Sequence, residues 1–515
     1  MKFLSSKNRN TGIILSYTNT FLNLVCGLFL SSFLLKQLGD TNYGVYQTMA
    51  SFANYLVLLE FGTGTVMTRN LLACRNKNED KSVIDKNVST IWSIATFLSI
   101  VIGIVSIGFY FSIETIYQNS LTPEQILDGK NIFIFITIFL LSSFLSQTLN
   151  GIPLAHENYT YTSLISIFKI LLRTSLLVVL LFNFKYVIII AIVDASINAG
   201  IAVFGYIYCK LKYKVSINFR NFDKLILKAS LPMCIALFLQ TIVNQANNTV
   251  GKFVLGVMTS PEDVTLYSVG LYIFSIFSSL TTIPVSMYMP QISKDVLEGK
   301  EGKELTNTLI QPCRLIVLVG GSVLFGFIAA GKPFIKLIYG EEYLLAWLIA
   351  IILMAPMFIN MSNAVIINVL DIKNKRLTRS LIMMVSTIFN IVLTIFLIKN
   401  FGLIGASIAT GLSTILQIIL LNIYYYKRMN IKVLYLFCKT YKGILLYQII
   451  GAIIGCFVCT VIKNSILAFL TSGIIYVIIA FSGFLILGKN QQEKATLSNL
   501  LNKLFKKNND SRGED

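Results

Sequence analysis

The chain is poor in charge, in histidine and in proline. Only 13% of its 515 residues are Asp, Glu, Lys or Arg, against roughly 25% in an ordinary soluble domain. So few ionisable groups cannot solvate the surface of a soluble fold of this length, which excludes a soluble enzyme. His156 is the single histidine, and the eight cysteines (Cys26, Cys74, Cys209, Cys234, Cys313, Cys438, Cys456, Cys459) are scattered, with only the last two one helical turn apart. That leaves no metal-ligand cluster and no His-based triad, and the cysteines read as small buried hydrophobes. No GxxxxGK[ST] loop occurs, so the chain does not itself hydrolyse ATP. Neither a cofactor nor a catalytic residue is expected. No polar stretch between apolar runs exceeds about 20 residues, too little to bury a separate soluble core.

What the sequence has in abundance is apolar length. Hydrophobic residues make up 55% of the chain and the mean hydropathy is +0.72. Fourteen apolar runs follow one another between Gly12 and Leu487, each near the ~20 residues that cross a hydrocarbon core as a helix. They are continuous rather than alternating, which favours helices over a barrel. The expected fold class is an all-α polytopic membrane protein with about fourteen transmembrane helices. Lys2, Lys7 and Arg9 precede a full-length first run without a small-residue cleavage site, the pattern of an uncleaved first helix. With the N-terminus inside, inner segments hold 33 Lys and Arg and outer segments 7, namely Lys36, Lys130, Lys185, Lys332, Lys336, Lys399 and Lys463. The positive-inside rule then places both termini in the cytoplasm. Inner segments carry 14 acidic residues and outer segments 8, so the net charge of +19 is accounted for without nucleic acid.

An offset of 217 residues aligns Leu38-Gly39 with Leu255-Gly256, Ser163-Leu164 with Ser380-Leu381 and Asn183-Phe184 with Asn400-Phe401. It also aligns the aromatic-rich stretch Tyr206 to Lys210 with the one ending at Tyr425, Tyr426 and Lys427. Six spans separate the copies, so the second returns in the same orientation, as in parallel-repeat transporters. The expected organisation is an N-lobe over 1–211, a C-lobe over 212–430, two further spans over 431–487 and a basic cytoplasmic tail over 488–515. Leu497, Leu500, Leu501, Leu504 and Phe505 of that tail, among lysines, suggest a short amphipathic surface helix. Two such lobes imply alternating access around a central site.

Ionisable groups inside apolar spans are costly and mark functional sites by default. Five occur: Glu60, Lys169, Arg173, Asp194 and Lys252. Lys169 and Arg173, four residues apart, share a helix face, and a doubled positive charge near mid-membrane suits an anionic ligand. A competing reading has Lys169 snorkelling to the inner surface and Arg173 paired with Asp194, which lies at a similar depth in the next span. Lys252, near the outer end of a long span, either snorkels outward or joins the ligand site. Gln240, Asn244, Asn247 and Asn248 fall with Lys252 on one arc of the seventh span. At the repeat offset Gln240 corresponds to Asn23 of the first span, whose own face also bears Asn19. Such amide stripes suit a glycan or, alternatively, hold the bundle together. Glu60, ahead of Phe61-Gly62-Thr63-Gly64, either couples a proton or Na⁺ or pairs with Arg69.

Leu38-Gly39-Asp40-Thr41-Asn42-Tyr43-Gly44-Val45-Tyr46 and Leu59-Glu60-Phe61-Gly62-Thr63-Gly64 leading to Arg69 look like landmarks of a known group, as do Tyr267-Ser268-Val269, Pro290-Gln291-Ile292-Ser293, Ile338 to Tyr343 and Phe401 to Ala406. Over about residues 1–430 the chain resembles the polysaccharide biosynthesis and export family. That family comprises O-antigen type oligosaccharide flippases of the multidrug/oligosaccharidyl-lipid/polysaccharide exporter superfamily. The resemblance implies passage of an undecaprenyl-diphosphate-linked oligosaccharide from the inner to the outer leaflet through a cationic central cavity, for capsule, exopolysaccharide or cell-wall polymer. It implies as partners the polyprenyl-diphosphate-linked glycan, the lipid bilayer and other polysaccharide-assembly proteins. By resemblance to the lipid-linked peptidoglycan-precursor flippases, the last two spans form a groove for the polyprenyl tail, although the first span lacks that subgroup's arginines. The alternatives are an ion-coupled multidrug extruder of the same superfamily, against which the three intramembrane cations argue, and a membrane glycosyltransferase or polymerase, against which the 18-residue longest outer loop argues.

Overall fold

A computed structural model describes residues 4–57, 62–373 and 375–488. Fourteen α-helices run in order: α1 (Leu4–Ala53), α2 (Thr63–Asn76), α3 (Lys81–Tyr117), α4 (Pro123–Ala155), α5 (Tyr159–Asn183), α6 (Ile188–Tyr213), α7 (Lys224–Met258), α8 (Pro261–Leu297), α9 (Gly302–Ile338), α10 (Leu345–Ile372), α11 (Arg376–Met429), α12 (Val433–Tyr441), α13 (Leu445–Val461) and α14 (Ser465–Gly483). Among the described residues there is no β-strand. The expected tail helix lies outside them.

Local chemistry sets the helix ends. Thr122 and Gln125 form a capping box with Pro123 in the first turn of α4, while Asp223 and Asn464 cap α7 and α14 through their side chains, each satisfying N–H groups the helix leaves open. Within the spans, hydroxyls bond back one turn, as Ser99 does to the Ala95 carbonyl at 2.9 Å and Ser106 to the Ile102 carbonyl at 2.7 Å, so they enter an apolar medium already paired.

Among the described residues, ten helices are long and apolar enough to cross a membrane, eleven if the pair α12 and α13, bent by 50°, forms one crossing. The protein is a multi-pass membrane protein. The difference from the expected fourteen is largely one of continuity. Two of the ten helices carry a single non-helical glycine: Gly39 in α1, where a loop was expected, and Gly402 in α11, two residues past the expected break between spans. The expected second span, 43–68, is by contrast interrupted: α1 ends at Ala53 and α2 restarts after Gly62, which adopts a left-handed φ of 62°.

The described chain forms two compact units, Met1–Val269 with Met383–Ser413, and Gly270–Ile382 with Thr414–Asp515. In the first, Val66, Met67, Leu71, Val88, Ile91, Leu149 and Ile152 build an apolar core from α2, α3 and α4. Here α2 and α4 approach closely. A Cβ on Gly64 would lie 2.6 Å from the Gln147 carbonyl oxygen, and one on Gly151 2.6 Å from that of Gly64. The Thr63 and Thr148 hydroxyls bond across at 2.7 Å. In the second unit α9 is flanked by α10, α13 and α14. Arg314 of α9, buried, donates through Nη1 to the carbonyls of Lys439 and Lys442 at 2.9 Å, next to the corner between α12 and α13. Four of the eight cysteines are buried, Cys438 is exposed, and all eight are free.

Candidate functional site

Within the first unit, α1, α4, α5 and α6 enclose a cavity of about 520 Å³. Its α5 wall is a helical stripe, Ser166, Lys169, Ile170, Arg173 and Thr174, at the 3, 4, 7 and 8 spacing that puts residues on one face. From α1 come Asn19, Asn23 and Gly27 on another such stripe, with Tyr46 beyond the Gly39 break, and α6 contributes Asp194.

Arg173 grips Asp194 in a two-pronged pair: Nε donates to Oδ1 at 2.5 Å and Nη2 to Oδ2 at 3.0 Å. Tyr46 Oη donates to Asp194 Oδ2 at 3.4 Å. The Arg173 side chain is 33% exposed and that of Asp194 13%, so the carboxylate lies behind a guanidinium that keeps one edge for the cavity. Lys169 Nζ donates to Asn198 Oδ1 at 2.7 Å, and Asn198 Nδ2 donates to the Asp194 carbonyl at 2.7 Å, orienting the amide. The ammonium also lies 5.7 Å from the Phe139 ring centroid. Two cations against one carboxylate leave the wall with one net positive charge. Asn19 Oδ1, buried in the same lining, has no donor among the described residues.

The structure therefore brings Asn19, Asn23, Lys169, Arg173 and Asp194 together, and the pairing of Arg173 with Asp194 is realised. Lys169 does not snorkel alone but is held by Asn198. Lys252 stands apart from this cavity: its ammonium donates to Gln47 Oε1 at 2.7 Å, and Gln47 Nε2 donates to Tyr43 Oη at 2.6 Å. Gln240, Asn244, Asn247 and Asn248 belong to α7, but their side chains lie outside the described residues, as does Glu60 altogether. Arg69, the expected alternative partner of Glu60, directs Nη1 to the Met233 sulfur at 3.1 Å. Three participants escaped the sequence reading. Asn198 was findable, since it follows Asp194 by one turn of the same helix. Tyr46 and Gln47 carry no local signal, because their partners are 148 and 205 residues away.

Residues 11–296, more than half of the chain, match the family described as polysaccharide biosynthesis protein. The chain belongs to that family. Among curated relatives of this family member, the probable low-salt glycan biosynthesis flippase Agl15 of Haloferax volcanii is 23% identical over 162 residues, 31% of this chain and 34% of the relative. The match thus spans about a third of that relative's length. Among solved structures, the lipid II flippase MurJ in an inward closed conformation aligns with a TM-score of 0.63 at 16% identity, covering 93% of this chain and 99% of that one. An inward-facing multidrug resistance MATE transporter of the MOP superfamily gives 0.55 at 15% identity, covering 78% and 92%. The Vibrio cholerae MATE transporter VcmN in its bent form gives 0.53 at 12%, covering 82% and 97%. These likenesses establish the fold, which the family member shares with both groups.

Proposed function

We propose that the protein is a flippase that moves an undecaprenyl-diphosphate-linked oligosaccharide from the inner to the outer leaflet by alternating access, for capsule, exopolysaccharide or cell-wall polymer. The observation that carries this reading is the cavity wall of Lys169 and Arg173 on α5 and Asp194 on α6, one net positive charge held within two apolar helices. A diphosphate seeks such a wall, because a charge-assisted hydrogen bond in a site shielded from water is about twice as strong as a neutral one. Asn19 and Asn23 on the facing stripe, with the unmatched Asn19 oxygen, offer neutral partners for sugar hydroxyls. Family membership and the likeness to the flippases Agl15 and MurJ support the same class of ligand. In this reading residues 1–211 and 212–430 are the repeats that rearrange, Lys252 and the α7 amides extend the ligand surface, and Glu60 is the candidate for ion coupling.

The test is translocation of a fluorescent undecaprenyl-diphosphate oligosaccharide in proteoliposomes, read by a water-soluble quencher, with and without H⁺ and Na⁺ gradients. Protein-dependent arrival in the outer leaflet is expected. Movement of a cationic dye with the lipid left in place would replace this reading with a multidrug extruder.

A further inference from the structure

Lys332 and Lys336 stand one turn apart near the end of α9, and Lys463 lies in the turn from α13 to α14. With Trp347 of α10 they line a cavity of about 360 Å³ within the second unit. Of the seven basic residues that the charge distribution leaves to the outer side, three thus converge on one cavity. Lys336 is paired with Glu341, but among the described residues neither Lys332 nor Lys463 has a carboxylate partner. The Lys332 ammonium lies 4.5 Å from the Trp347 ring centroid, and the indole is itself fixed by donating Nε1–H to the Phe327 carbonyl at 3.3 Å. The remaining wall is mostly apolar, including Ala329, Pro333, Leu344 and Ile462, with the Thr460 and Ser465 hydroxyls among it, and Ile466 and Leu467 beside it are exposed.

Ammonium groups on the rim of an apolar hollow, with exposed aliphatic side chains alongside, complement an anionic headgroup followed by hydrocarbon. An exposed cation cluster facing only water would gain little from Trp347 and the aliphatic wall, whereas a lipid uses both halves. We propose that this cavity binds the phosphate group of an anionic lipid of the outer leaflet. The site is distinct from the Lys169 and Arg173 cavity and does not depend on the flippase reading.

Native mass spectrometry of the detergent-purified full chain, titrated separately with phosphatidylglycerol and phosphatidylcholine and then challenged with inorganic phosphate, tests the proposal. The first phosphatidylglycerol adduct is expected to form on the order of tenfold more tightly than the phosphatidylcholine adduct. The combined change Lys332→Gln, Lys336→Gln and Lys463→Gln should abolish that preference, and arginine at all three positions should keep it. Lys36→Gln, Lys185→Gln and Lys399→Gln together, elsewhere on the outer side, should leave it intact. Equal binding of the two lipids, persistence of the preference in the glutamine variant, or its loss with arginine would overturn the site. Displacement of the lipid by an equal concentration of inorganic phosphate would overturn the lipid assignment.

Discussion

Arg173 holds Asp194 by two roughly parallel hydrogen bonds, so neither residue can be removed without leaving its partner charged inside the membrane. Asp194→Asn is expected to cost about 2 kcal/mol, short of the roughly 3–5 kcal/mol for a fully buried pair because a third of the Arg173 side chain (33%) is exposed. Thermal unfolding in detergent should show the double change Arg173→Gln with Asp194→Asn melting nearer the wild type than either single change; strictly additive losses would deny the coupling. If the double variant is well folded yet flips lipid on the order of tenfold more slowly, the guanidinium serves the ligand as well as the fold, tenfold being about 1.4 kcal/mol of lost charge-assisted bonding. Lys169→Gln should slow flipping similarly with little change in melting, since glutamine can still donate to Asn198. At this scale the sequence was informative where depth and helical spacing suffice: Lys169 and Arg173 share a face, and Asp194 lies at matching depth in the next helix. It was silent on Gln47 and Lys252, whose contact depends on how α1 and α7 pack.

The helices themselves were legible from apolar length. Their continuity was not, because one residue of unusual backbone turns the chain without interrupting its helical hydrogen bonding for long. Gly39, at φ 76° and ψ 168°, occupies a region essentially closed to residues bearing a Cβ. A Cβ there would touch nothing within 4 Å, so Gly39→Ala isolates the backbone term and should destabilise by about 1–3 kcal/mol, measurable as a lowered melting temperature. Gly64→Ala tests the opposite situation. Its backbone is ordinary helix, but the added methyl meets the Gln147 carbonyl and must push α2 from α4, so a wild-type melting temperature would contradict the close packing.

Across the whole molecule, the distribution of 33 inner against 7 outer basic residues yields an orientation, and Cys438 offers a means to check it. It is the exposed cysteine among the eight and lies in a segment assigned to the cytoplasm. A membrane-impermeant maleimide should label it only after cells are permeabilised; labelling of intact cells would reverse the topology. Composition could declare a membrane protein and charge could suggest its orientation, because both follow from solvent physics averaged over many residues. The cavity depends on which faces meet, and that is encoded in pairings such as Tyr46 with Asp194, weak in sequence and far apart along it.

The Arg314 clasp sets a mechanical condition on the second unit. One buried guanidinium ties the middle of the chain to carbonyls 125 and 128 residues later, at the corner where α12 turns into α13. A side chain that gives up several hydrogen bonds to leave such a place does so at high cost, so the corner is hinged to α9 rather than to the lipid around it. Any tilt of α9 is then transmitted to α12 and α13 as to the arm of a lever, so that these two helices follow α9 rather than move independently of it.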